Sequence, residues 1–121
     1  NLGTAPIEDA INEHPAVSES AIVGYPHDIK GSALYGYVTL KNANDSSETL
    51  KAEINQLISK QIGPIAKLNK IQFTSGLPKT RSGKIMRRIL RKIASKDTSN
   101  LGDISTLLNP EVVETIMKNS Q

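Results

Sequence analysis

Two apolar periods alternate along this 121-residue chain, and their order confines it to a small sheet with helices laid across it. Ile7, Ala10 and Ile11 recur at helical spacing behind Thr4, a favourable N-cap, and Pro6, whose missing N–H costs nothing in a first turn. His14-Pro15 then stops a helix over about residues 5–13. The β-branched and small apolar run Ala21-Ile22-Val23 marks a strand within Val17–Tyr25, and Tyr35, Tyr37, Val38 and Thr39 mark a second within Leu34–Lys41. These neighbours are expected to be antiparallel, joined by a loop over Pro26–Ser32 that is longer than a tight turn. Leu50, Ile54, Leu57, Ile58 and Ile62 form the stripe of a second helix, capped by Asp45 or Ser47 and ended by Gly63-Pro64. A short strand at about Lys70–Thr74 leads through the loop Ser75–Gly83 into a third helix reaching about Ser95. A last short helix is expected near Glu111–Met117. The order α-β-β-α-β-α predicts an α+β fold: a small three-stranded sheet flanked by helices.

Length and composition narrow the functional classes. A chain this long carries one packed core, not the two domains of a large enzyme. No apolar run approaches the ~18 residues of a membrane span and no basic-then-apolar leader opens the chain, so a soluble, cytoplasmic protein without a membrane partner is expected. The absence of Cys excludes disulfides, thiolate catalysis and cysteine zinc sites. One Phe, three Tyr and no Trp argue against an aromatic platform for single-stranded nucleic acid. The net charge of +3 conceals a division: residues 54–96 hold 11 of the 15 basic residues and none of the 12 acidic ones. A basic half of this kind usually meets an anion.

Within that half, Ile85, Met86, Ile89, Leu90 and Ile93 share one helical face, and Arg87, Arg88, Arg91 and Lys92 lie on the other. A solvated polar back explains the four cations; a nucleic-acid surface and a membrane-surface helix are the functional alternatives. Lys84 stands apart. Placed in a first helical turn behind Ser82-Gly83, it opposes the helix dipole by about 0.3–1 kcal/mol, which stability alone does not favour. An ammonium beside free helix-terminal N–H groups suits a phosphate or carboxylate, with Lys79 and Arg81 reinforcing the field. The competing explanation is a surface loop using Lys and Gly for solubility and turning. His14 reads as a capping or surface residue, and His27 has no identifiable partner. No nucleotide-loop, HExxH or nucleophile motif is present.

The stretch Leu77-Pro78-Lys79-Thr80-Arg81-Ser82-Gly83-Lys84-Ile85-Met86-Arg87-Arg88 is highly specific. It resembles the C-terminal domain of AMP-forming acetyl-CoA synthetases, within the adenylate-forming enzyme superfamily. The likeness spans nearly the whole chain: Leu2-Gly3-Thr4-Ala5 with Ile7-Glu8, His14-Pro15 through Gly24-Tyr25-Pro26-His27 with Lys30-Gly31, Tyr37-Val38-Thr39-Leu40, Gly63-Pro64, and Asp97 through Asp103. On this resemblance residues 1–96 correspond to the mobile catalytic-lid domain and 97–121 to the extension typical of acetyl- and propionyl-CoA synthetases. A much larger N-terminal domain, holding most of the ATP and acyl pockets, would be the chief partner.

The resemblance implies a reaction in two steps, ATP and acetate giving acetyl-AMP and pyrophosphate, then CoA giving acetyl-CoA and AMP, with the small domain swinging between them. It implies catalysis by Lys84, nucleotide contact at Gly83 and Lys84, and reversible acylation of Lys84 by a lysine acetyltransferase and a deacetylase. It also implies magnesium around the end of the first helix, at Asn12, His14 and Val17. Isolated, the domain is expected to be inactive. There are departures: Asn1 stands where relatives carry an adenylate-contacting arginine, as expected of a chain beginning within the hinge, and Pro6 replaces a common glutamate. Ser59 stands where relatives carry an arginine near the CoA phosphates, so CoA is expected to lean on Lys60, on neighbouring cations of the basic half, or on the larger N-terminal domain. The alternative from another class is a small basic nucleic-acid-binding module on the same scaffold.

Overall fold

A computed structural model describes residues 3–29 and 31–121. Leu2 and Lys30, which carry part of the resemblance, and Asn1, one of the departures from it, lie outside the described residues. The elements are α1 (Ala5–Asn12), β1 (Val17–His27), β2 (Gly31–Leu40), α2 (Glu48–Gln61), β3 (Lys70–Phe73), α3 (Arg87–Ala94) and α4 (Glu111–Lys118), with single 3₁₀ turns at Ala43–Asp45 and Pro64–Ala66. The expected α+β architecture is present. The sheet runs β1-β2-β3, with β1 antiparallel to β2 and β3 parallel to β2.

The β1–β2 connection differs from expectation. Strand pairing continues through Pro26↔Ser32 and His27↔Gly31, so the hairpin is tight rather than a long loop. β1 is an edge strand, the place in a sheet where proline is tolerated, and Pro26 lies within it.

Side chains alternate across the sheet and feed two cores. On one face Ile22 and Val38 meet Ile7 and Ile11 of α1 and Leu50, Ile54 and Ile58 of α2. Leu57 and Ile62, expected on the same stripe, are half-buried at its margin. α2 begins at Ser47, whose hydroxyl accepts the Leu50 N–H at 3.0 Å, settling the choice of cap against Asp45. On the opposite face Ala21, Val23, Tyr25, Tyr35 and Tyr37 meet Ile89, Leu90 and Ile93 of α3, and also Leu107, Val112, Val113 and Ile116. Residues 97–121 therefore complete the second core. A buried polar chain seals them to it: Gln72 Nε2 donates to the Ile116 carbonyl (3.0 Å), Tyr35 Oη donates to Gln72 Oε1 (2.6 Å), and the Gln121 N–H donates to Tyr35 Oη (2.8 Å). All three tyrosines are buried, with Tyr35 and Tyr37 stacked at 4.4 Å between centroids.

Candidate functional site

Lys84 does not open a helix, contrary to the expectation from sequence. α3 starts at Arg87, and Met86, at its N-cap, has a non-helical backbone. Residues 79–85 instead form a small hairpin in which Lys79 and Ile85 pair as an antiparallel bridge. The Thr80 N–H donates to the Lys84 carbonyl (2.9 Å), the Gly83 N–H to the Thr80 carbonyl (2.8 Å), and the Met86 N–H to the Pro78 carbonyl (2.8 Å). The Lys84 N–H donates to Thr80 Oγ1 at 3.1 Å. Gly83 has φ +91°, a left-handed conformation that a side chain disfavours. The physical reason for the correction is hydrogen-bond satisfaction. A helix begun at residue 83 would leave its first N–H groups free, whereas the turn Thr80-Arg81-Ser82-Gly83 pairs them. The helix dipole is thus not what acts on Lys84.

Arg81, Ser82, Gly83 and Lys84 are exposed. Among the described residues no hydrogen bond or ion pair engages the Lys84 ammonium, although the main chain beneath it is held on both sides. Upstream, Lys79 Nζ meets Glu19 Oε1 of β1 at 2.9 Å. Downstream, the Arg87 guanidinium forks onto both carboxylate oxygens of Glu8, through Nε to Oε2 at 3.2 Å and Nη2 to Oε1. Glu8 is buried on α1, and its Oε2 also accepts the Ile22 N–H at 2.8 Å. A carboxylate removed from water and supplied with three donors is a rigid tie among α1, β1 and the start of α3. The helical period puts Arg87 on a solvated back, and a partner 79 positions away in sequence is hidden from it. Lys92 also has a partner, Asp97 Oδ2 at 3.7 Å, and Arg88 Nη2 donates to the Leu101 carbonyl. The polar side of α3 is not a free cationic stripe, which weakens the nucleic-acid alternative.

Ser59 lies half-buried on the polar side of α2, lining a shallow open hollow with Asn55, Gln56, Lys60 and Lys67. It belongs to the α2 layer, whereas the Lys84 hairpin leads into the layer on the opposite face of the sheet. At the end of α1, the side chains of Asn12 and His14 are spoken for. Asn12 Oδ1 accepts the Ser20 hydroxyl (2.8 Å), His14 Nδ1 accepts the Ala16 N–H (3.1 Å), and Nε2, which then carries the proton, donates to Glu53 (2.9 Å). Val17 is apolar and buried. Among the described residues no group of three or more His, Asp or Glu side chains is placed to hold a metal ion. Among the described residues the side chains at this site do not fit magnesium, and of the main-chain carbonyls that of His14 already accepts the Val17 N–H at 3.0 Å.

The chain belongs to the AMP-binding enzyme C-terminal domain family, whose model matches residues 6–84. It is 59% identical over 118 residues to the acetyl-coenzyme A synthetase of Desulfatibacillum aliphaticivorans, covering 98% of this chain and 18% of that protein. It is 60% identical over 120 residues to that of Bartonella quintana (strain Toulouse), covering 99% and 18%. The chain thus spans about a fifth of the length of these relatives. Among solved structures, the acyl-CoA synthetase of Brucella canis superposes with a TM-score of 0.72 at 36% identity, over 75% of this chain and 17% of that one. The acetoacetyl-CoA synthetase of Streptomyces lividans covers 97% of this chain and 18% of its own at TM-score 0.80; its 18% identity speaks to the fold alone. These relatives lend the nucleic-acid-binding alternative no support.

Proposed function

We propose that this chain is the mobile C-terminal domain of an acetyl-CoA synthetase and that Lys84 is its catalytic residue in the first of two half-reactions. One observation carries the proposal: an exposed ammonium with no partner among the described residues stands on a hairpin pinned by the bonds Thr80 N–H to Lys84 carbonyl, Gly83 N–H to Thr80 carbonyl and Met86 N–H to Pro78 carbonyl. The identity to acetyl-coenzyme A synthetases over nearly the whole chain supplies the reaction class.

In the first step a carboxylate oxygen of acetate attacks the α-phosphorus of ATP. The bond from that phosphorus to the bridging oxygen breaks, and pyrophosphate leaves with its electron pair. Negative charge spreads over the carboxylate and α-phosphate oxygens, and a pre-placed ammonium stabilises the transition state more than the separated substrates. In the second step the CoA thiol loses its proton and its sulfur attacks the acyl carbon, expelling AMP. The ATP and acyl pockets are assigned to a larger N-terminal domain, the main partner. Gly83 gives the hairpin its turn and lets main chain approach the nucleotide. Ser59, with Lys60 and Lys67 around the same hollow, meets the CoA phosphates. Acylation of Lys84 by an acetyltransferase, reversed by a deacetylase, removes the charge and silences the first step. The exposure of the hairpin supports this, and a cytoplasmic setting belongs to the same proposal. A magnesium ion at the end of α1 would be held by the main-chain carbonyls of Asn12, His14 and Val17, and no step here runs through it.

The test is acetate-dependent ATP–pyrophosphate exchange by the full-length protein. Lys84→Ala should lower the exchange rate by ~10²–10³, the scale of one lost oxyanion-type donor, with the KM for ATP little changed. An unchanged rate would reject the assignment.

A further inference from the structure

The segment after α3 reaches back to the base of the lysine hairpin and bonds its main chain. Asn109 Oδ1 accepts the Lys79 N–H at 3.0 Å, and the adjacent Leu108 N–H donates to the Lys79 carbonyl at 2.9 Å. From the same amide, Asn109 Nδ2 donates to the Leu77 carbonyl at 2.8 Å. A planar amide offers an acceptor and donors in fixed directions, so Asn109 and Leu108 do for residues 77–79 what a neighbouring strand would do. Gly76 lies against it: a Cβ there would stand 3.7 Å from Nδ2 and 3.5 Å from Val112 Cγ2, in ordinary contact. Behind Asn109, its carbonyl accepts the Val112 N–H at 3.1 Å, and α4 is fixed through Val112, Val113 and Ile116 in the core.

Lys79 is therefore gripped on one edge by residues 108–109, while across its other edge it pairs with Ile85, the neighbour of Lys84. We infer that Asn109 is a positioning residue: through Lys79 and the bridge to Ile85, it fixes where the Lys84 ammonium stands. The C-terminal segment, beyond the residues that the family model matches, then serves the adenylation step. The inference rests on the assignment of Lys84 above, and its test separates the two.

In the full-length protein, Asn109→Ala, Asn109→Asp and Lys84→Ala are compared with wild type in hydrogen exchange and in both half-reactions. Asn109→Ala should speed amide exchange at Thr80, Gly83, Lys84 and Met86 by about tenfold, the factor for roughly one lost hydrogen bond, while β1–β2 amides keep their protection. Its kcat for adenylation should fall about tenfold with the KM for ATP unchanged, since the group is misplaced rather than removed. Thioester formation from supplied acetyl-AMP should not change. Asn109→Asp keeps an acceptor for the Lys79 N–H and should stay closer to wild type in both readouts. If Asn109→Ala leaves hairpin exchange or adenylation at the wild-type rate while Lys84→Ala lowers adenylation, the positioning role is overturned and the assignment of Lys84 stands. If Lys84→Ala itself leaves adenylation intact, the assignment falls, and the exchange data still decide whether Asn109 holds the hairpin.

Discussion

Tyr37 and Glu8 show how this chain uses its few buried polar atoms. Burial pushes the Tyr37 phenol well above its ordinary value of 10.0, and the stacked Tyr35 adds to the shift. Tyr25 is raised for the same two reasons, burial first. A tyrosine that holds its proton in the fold but releases it near pH 10 when unfolded contributes stability that is complete below that pH. The contribution is lost as pH rises further, at about 1.4 kcal/mol per unit for each such group. The melting temperature of wild type should accordingly fall from about pH 10 upward. Tyr37→Phe should flatten that fall, because it removes the hydroxyl that titrates, along with its 3.3 Å bond to the Leu90 carbonyl and its hydrogen-bond interaction with Tyr35. Parallel alkaline curves for the two proteins would contradict this. Glu8 is buried and its carboxylate is met by three donors. Arg87→Ala strips its carboxylate of the fork and leaves it the Ile22 N–H. The half-exposed position of Arg87 moderates the penalty, and a loss of about 2–3 kcal/mol is expected, read as a lower urea midpoint at constant slope.

Elements with a single strong period were legible before any coordinates, as α2 shows. Its stripe predicted the helix, and a Ser or Asp before it predicted the cap; the structure selects Ser47. Ser47→Ala frees the Leu50 N–H and should lower stability by about 1 kcal/mol, measured by chemical denaturation, while Asp45→Ala should have no comparable effect. The sequence pattern hides the hairpin before α3, because Ile85 and Met86 continue the apolar period of Ile89, Leu90 and Ile93 upstream of the helix start at Arg87. Periodicity does not register where backbone N–H groups are satisfied. The signal that would have corrected it was the turn sequence Thr80-Arg81-Ser82-Gly83, with glycine in the position that needs a positive φ. Lys84 stands out in the sequence because a cation opposes a helix N-terminus, but no helix begins at that position. What sequence could not show was non-local: the Glu8–Arg87 tie, and the closure of a core by Leu107, Val112, Val113 and Ile116 from a tail whose apolar residues are sparse and irregular.

At the scale of the molecule, the sheet separates two working surfaces. The Lys84 hairpin leads into α3, and the Ser59 hollow belongs to α2 in the layer across the sheet. On the proposed function, a body with a cation for adenylation in one place and a hollow for CoA in another would serve two consecutive steps by turning, each step using one surface without the other. The central claim is that Lys84 acts in acetyl-AMP formation and is turned away during thioester formation. The most direct measurement follows both half-reactions of the full-length Lys84→Ala protein in one preparation: acetyl-AMP formation from acetate and ATP, and acetyl-CoA formation from supplied acetyl-AMP and CoA. Loss of ~10²–10³ in the first with the second near the wild-type rate is the expected result. An equal loss in both would contradict it.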